Sequence, residues 1–407
     1  SATEQTAWAA LSIMPASFER AAGAALLPYP TRVISRGGEG VGDEVGAGEI
    51  LDALAVANLL EYDETAERLY WHDLVRAFVA KKLDEAEREA AQRRHAAYFT
   101  QVAYAARELY LQGGENVVHG LALFDRERAH LEAVFEVLGQ LKAHRELIEL
   151  VNAVVYTSDL RFHPRQRINW LEAQREAARA ISHKGAEGLA LGNLGSAYAA
   201  LGDARRAIGF YEQDLAIARE MGDQRGEGAA LGNLGAAYYS LGEARQATEF
   251  YEQQLKIVRE IGDRRGEGNA LGNLGNAYAA LGDTPRAIEF YEQCLTLHRE
   301  IGDRRGEGAD LGNLGVAYAD WGDASRAIGY HEQYLAIARE IEDRRGEGSA
   351  LGNLGIAYKN LGDARRAIEF YEQALVIARE IGDRRGEGNA LGNLGTAYAA
   401  LGDASRA

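Results

Sequence analysis

The chain has 407 residues, 47% of them hydrophobic and 26% charged, a composition that buries a large core and excludes general disorder. Its 61 acidic residues outnumber 45 basic ones for a formal charge of −16, so nucleic acid is excluded as a partner for most of the surface. One cysteine, Cys294, excludes an internal disulfide framework and fits a reducing, cytoplasmic setting; no apolar run offers a membrane span and no secretory leader opens the chain.

In chain order, residues 7–27 read as two short helices around Pro15. RVISRGGEGVGDEVGAGEI (32–50) reads as a glycine-rich loop. It is no phosphate cradle, because no strand precedes it and no GK[ST] follows anywhere. EILDALAVANLLE (49–61) predicts a helix, and Leu59–Tyr62, the polar turn DETAE and Arg68–Trp71 predict a β-hairpin. Asp73 is expected to cap a further helix, DLVRAFVAKKLDEA. Three helices with a hairpin make residues 1–85 a small winged-helix domain. DNA binding is disfavoured there, since residues 1–100 carry ten Lys/Arg against sixteen Asp/Glu and the candidate recognition helix has no basic residue.

The run LLEYDETAERLYWHDLVRAFVAKKL is similar to the winged-helix segment of NB-ARC proteins, signal-transduction ATPases of the STAND type. Trp71-His72-Asp73 stands where that family has Met-His-Asp. The resemblance implies that His72 faces ADP held by an upstream nucleotide-binding domain; the other reading packs His72 against the hairpin. LFDRERAHLEAVFEVL (123–138) resembles the linker such proteins place before a repeat sensor, so 86–145 is read as a helical linker. The chain itself carries no P-loop, so ATP or ADP is expected only in the full-length protein, and no cofactor here.

The string LGNLG recurs at Leu191, Leu231, Leu271, Leu311, Leu351 and Leu391, always 40 residues apart. In one unit, a helical pattern over 265–280 stops at Gly282, and a second begins after Asp283 and runs to Gly302. Each period is a helix hairpin. Leu194, Gly195, Tyr198, Gly202, Ala207 and Tyr211 have the identities and spacing of the tetratricopeptide repeat, and the other units match with small changes. The resemblance implies a mainly α fold: a right-handed α-α superhelical solenoid of five units and a partial sixth over 187–407. It departs from the family in unit length and at Arg219, where proline is usual. Residues 146–186 read as a degenerate unit, with Ile168 and Trp170 matching Ile208 and Phe210. Opening on Ser1 and stopping at Ala407 within a unit, the chain reads as a piece of a longer protein.

Comparison of the units with one another locates variation. It concentrates at Ser196, Ala236, Asn276, Val316, Ile356 and Thr396; at Ala229, Asn269, Ala309, Ser349 and Asn389; and at Ser240, Ala280, Asp320 and Asn360. These positions are spaced i, i+7 and i+11, one face of a helix. Inside the stripe stand the unchanging Asn193, Asn233, Asn273, Asn313, Asn353 and Asn393, with Arg225, Arg265, Arg305, Arg345 and Arg385 before them. The resemblance implies that this face lines a concave groove whose asparagines grip a peptide main chain. An amide both donates and accepts, and arginine offers a fork to carboxylates. The opposing readings are that the asparagines tie neighbouring helices together and that the arginines pair with acids of the Glu220 and Asp223 type.

No catalytic constellation or metal-ligand cluster is expected. His298 and His331 fall in different columns, and Cys294 has only His298 nearby, one turn on. The recurring Glu220, Asp223 and Glu227 read as solvated faces. The expected function is a ligand-sensing, protein- or peptide-binding regulatory region of a STAND-type ATPase, the alternative a stand-alone adaptor scaffold.

Overall fold

The computed structural model describes residues 2–27 and 46–402; most of the expected glycine-rich loop (32–45) lies outside them. The chain divides into two compact units, Ser1–Ala197 and Tyr198–Ala407.

The N-terminal unit begins with α1 (Ala2–Leu11) and α2 (Arg20–Leu26), separated around Pro15, then α3 (Ala47–Val56). The strand pair forms as an antiparallel ribbon, β1 (Glu61–Asp63) and β2 (Arg68–Tyr70), with Tyr62 opposite Leu69. Phe18, fully buried, extends it through paired backbone hydrogen bonds of 2.8 Å with Leu69. Two helices differ from expectation. α3 stops at Val56 rather than 61, because Asn58 takes a left-handed φ of 53° and turns Leu60 into the core. The helix expected to continue from Asp73 to residue 86 ends as α4 (Asp73–Val79) with one tighter turn. Asp84 then starts a new helix, its carboxylate accepting from the Glu87 N–H at 2.8 Å while Glu87 reaches back. Asp73 is the first helical residue, so it is not the cap; His72 holds that position and makes no capping bond.

α5 (Glu85–Gln112) and α6 (Asn116–Gln140) pack together, followed by the hairpin α7 (His144–Arg161) and α8 (Pro164–Ala180) and by α9 (Lys184–Ala200), which reaches the boundary between units. The core of this unit is partly polar. Arg68 donates to Glu127 at 2.6 and 2.9 Å, with both side chains buried. His130 stacks on Phe99 at 4.1 Å and meets His95 at 3.1 Å. Burial pushes the His95 imidazole down to about 3.

The second unit repeats one plan in α10 (Ala204–Met221), α11 (Gln224–Ser240), α12 (Ala244–Glu260), α13 (Arg264–Ala280), α14 (Thr284–Ile301), α15 (Arg304–Asp320), α16 (Ala324–Glu340), α17 (Arg344–Asn360), α18 (Ala364–Glu380) and α19 (Arg384–Ala400). It is a tetratricopeptide-like solenoid, as expected. Most first and second helices start at an aspartate whose carboxylate accepts a first-turn N–H, as Asp263 does from Gly266 at 2.9 Å. First helices stop at a left-handed glycine such as Gly282 at φ 76°. Gly275 allows a close approach, since a Cβ there would lie 2.4 Å from the Tyr291 ring. Tyr278 lies 5.4 Å from Phe290 in a near-parallel stack that the other units repeat. Consecutive first helices touch, as α11 and α13, α15 and α17, and α17 and α19 do, whereas second helices approach their like less closely. The first helices therefore line the inner side of the bend. Among the described residues no helix is long and apolar enough to cross a membrane.

Candidate partner-binding site

The varied stripe and the fixed asparagines fall on the first helices, hence on the inner side. Asn193, Asn233, Asn273, Asn313, Asn353 and Asn393 are half-buried. Their side-chain amides make no hydrogen bond with the described residues, so they do not tie helices together. Arg225, Arg265, Arg305 and Arg345 are exposed. The acids offered as their alternative partners are already engaged: Asp263, Asp303 and Asp343 cap backbone N–H groups, and Glu300 and Glu340 pair with the preceding-type arginines Arg264 and Arg304.

Near the end of the array these groups converge. Arg345, Ser349, Asn353 and Ile356 of α17 and Arg385, Asn389 and Asn393 of α19 line one cavity of ≈ 560 Å³. Its wall includes Tyr371, whose buried hydroxyl has no hydrogen-bond partner and is pushed up to about 12 by burial. The cause is legible in the repeats. The equivalent Tyr291 donates to Asn276 at 2.8 Å, and Ile356 replaces that asparagine opposite Tyr371. Asn276 is thus already committed within its own unit rather than free for a partner. Asp320 and Asn360 are exposed but lie outside the cavity. Asn193 sits apart, in a second cavity of ≈ 510 Å³ in the N-terminal unit, where Arg107 lies 5.5 and 5.8 Å from the Tyr104 and Tyr156 rings. His72 is exposed, so it does not pack against the hairpin; Trp71 does pack, donating to the Leu11 carbonyl at 3.2 Å.

Two features escaped the sequence. The Glu227-type acids are not all solvated faces: Glu267, Glu307 and Glu347 are buried. Each takes a clamp from the second helix before it, Arg259 to Glu267, Arg299 to Glu307 and Arg339 to Glu347, all at 2.8 Å. Arg219, standing where the family has proline, does the same to Glu227 at 2.7 Å, so that departure has a structural use. The other feature corrects the expectation that nothing completes a group around Cys294. Asp310 places a carboxylate oxygen 2.6 Å from His298 Nδ1, which lies 3.8 Å from Cys294 Sγ. The signal was present, because every other unit has alanine at the position of Asp310.

The tetratricopeptide-repeat family model matches residues 186–260, 226–300, 267–340 and 346–407, more than half of the chain. No curated protein matches. Among solved structures, a Signal Transduction ATPase with Numerous Domains (STAND) protein with a tetratricopeptide repeat sensor, PH0952 from Pyrococcus horikoshii, is 18% identical with a TM-score of 0.57. The match covers 99% of this chain and 61% of that one. The apo form of the quorum sensor NprR from B. thuringiensis is 16% identical with a TM-score of 0.54, over 87% of this chain and 92% of that one. At these identities the likeness is one of fold.

Proposed function

We propose that this chain, which belongs to the tetratricopeptide-repeat family, holds an extended protein or peptide segment along the inner face of its array. The carrying observation is the row of half-buried asparagine amides without protein partners, set among exposed arginines. These amides still reach solvent, so each main-chain hydrogen bond they make to a peptide contributes about 0.5–1.5 kcal/mol net, and several in a row add up to useful affinity. The arginines add preference for acidic side chains or a terminal carboxylate. The fold is of a protein-binding kind, and no catalytic family is indicated.

The finer reading is a regulatory one: in the full-length, cytoplasmic protein, partner binding is relayed to an upstream nucleotide-binding domain. The likeness to NB-ARC proteins around His72 supports it. So does the surface beside that residue, where Leu74 and Phe78 on α4 are 76% and 59% exposed, an apolar pair suited to docking. His72 then serves as the ADP-facing group.

The groove is tested with peptides selected from a displayed random library on the purified chain. The double variant Asn273→Ala/Asn313→Ala should weaken the selected peptides at least about tenfold and leave the melting temperature unchanged. Melting without loss of affinity would make the asparagines structural. For the relay, His72→Ala in the full-length protein should release ADP faster; unchanged retention would favour a stand-alone adaptor.

A further inference from the structure

We propose that Cys294, His298 and Asp310 form a binding site for one divalent transition-metal ion of the zinc type. Cys294 and His298 lie one turn apart on α14, and Asp310 faces them from α15, the first helix of the next hairpin. One ligand atom from each lies within 4.8 Å of the others, the one such cluster among the described residues.

The donors suit such an ion. Thiolate, imidazole and carboxylate are its common protein ligands, with bonds of about 2.3 Å to sulfur and about 2.0–2.2 Å to nitrogen and oxygen. A tetrahedron of those bonds spaces sulfur from nitrogen by roughly 3.6 Å and nitrogen from oxygen by roughly 3.4 Å. The separations here are 3.8 Å and 2.6 Å. Of these two, only the nitrogen–oxygen pair must open, by less than 1 Å, as its hydrogen bond is replaced by bonds to the metal, while the sulfur lies within 4.8 Å of the carboxylate oxygen. The ion would join one hairpin to the next and leave its fourth position to water or to a group on the bound segment.

The array supplies its own control. Where this unit has His298, the others have Ala218, Val258, Ala338 and Ala378; alanine likewise fills the Asp310 position in every other unit. Packing therefore requires neither residue. Both departures occur where the two side chains meet, beside the only cysteine of the chain. Asp310 is 3% exposed, a costly place for a carboxylate without a cationic partner. Room for the imidazole exists because Gly306 carries no Cβ, which would lie 2.7 Å from the ring.

The same groups are poorly arranged for nucleophilic catalysis. Both the sulfur and the carboxylate meet the same ring nitrogen, so the imidazole cannot pass a proton from one edge to the other. Burial, with the neighbouring Asp310, also pushes the Cys294 thiol up, away from the free thiolate a nucleophile needs.

The test uses the full chain, reduced and stripped of metal with a chelator. Cobalt(II) should add in a 1:1 ratio and produce a near-ultraviolet thiolate charge-transfer band that zinc abolishes. Zinc should raise the melting temperature. Asp310→Ala, His298→Ala and Cys294→Ala each install a residue found at that position in another unit, so they should fold. Each should lose the band and at least tenfold in affinity. A wild-type chain without the band would overturn the proposal, leaving a buried His–Asp pair. Zinc stabilisation that survives in the triple variant would also overturn it, by locating the ion elsewhere.

Discussion

The two units solve the same packing problem with different means. The array uses small residues, aromatic stacks and charged clamps at its edges, repeated until no single contact dominates. The N-terminal unit concentrates its specificity in a few buried polar contacts far apart in sequence, such as Arg68 with Glu127 and His95 with His130. A repeat tolerates local change because each hairpin answers only to its neighbours. An irregular unit has no such redundancy.

That contrast is most directly broken by removing a carboxylate charge from each region. Glu127→Gln leaves the buried Arg68 guanidinium with only the more distant Glu19 carboxylate at 3.9 Å, and should destabilise the N-terminal unit by about 3 kcal/mol. Glu267→Gln removes the same chemistry from a clamp whose arginine is 46% exposed, and should cost at most about 1 kcal/mol. Denaturant melts followed by tryptophan fluorescence separate the two, because Trp8, Trp71 and Trp170 report the first unit and Trp321 the second. Equal losses would dissolve the distinction.

Within the array, packing carries the large effects. Tyr278→Ala should cost about 3–5 kcal/mol. Gly275→Ala, which drives a methyl into the Tyr291 ring, should cost about 1–3 kcal/mol. A loss below about 1 kcal/mol for Tyr278→Ala, read from the same melts, would place that ring on the surface.

Acid should sharpen the comparison. His95 is held neutral when folded and gains a proton on unfolding, so the N-terminal unit loses stability as pH falls from 6.5 toward about 3. His130, also lowered by burial, adds to that loss. In the array His331, lowered to about 4 by burial, acts in the same sense. Asp214 opposes it, because burial raises its carboxyl to about 7, so its unfavourable contribution fades as pH falls through 7. Melts of Trp321→Phe between pH 7 and 4.5, followed by tryptophan fluorescence for the first unit and by far-ultraviolet circular dichroism for both, should therefore show the N-terminal unit failing first. Parallel decline of the two units would refute this.

The smallest effect concerns one turn. Glu342 takes a left-handed φ of 56° where sister units have Gly262, Gly302 and Gly382. Glu342→Gly should raise stability by up to about 1 kcal/mol, measured as a shift in the denaturant midpoint.

Legibility followed the same division. The array was readable because aspartate caps, terminal glycines and 40-residue spacing act locally and recur. In the N-terminal unit the elements were found but not their ends. A left-handed Asn58 and the Asp84 cap each stopped a helix that hydrophobic pattern alone would have continued. At the candidate site, periodicity identified the inner face and its asparagines. It did not show that Tyr291 occupies Asn276, nor that arginine replaces the family's proline in order to clamp a buried glutamate.

The sequence by itself determined the solenoid, its unit length and the face that varies, because near-neighbour hairpins make contacts that local pattern encodes. Only the tertiary structure decided which polar groups are spoken for and which remain free. It paired Arg68 with Glu127 across 59 residues and set Asp310 against His298. The physical reason is that periodicity reports the face a side chain lies on, whereas hydrogen bonding depends on which neighbouring helix that face meets and how closely.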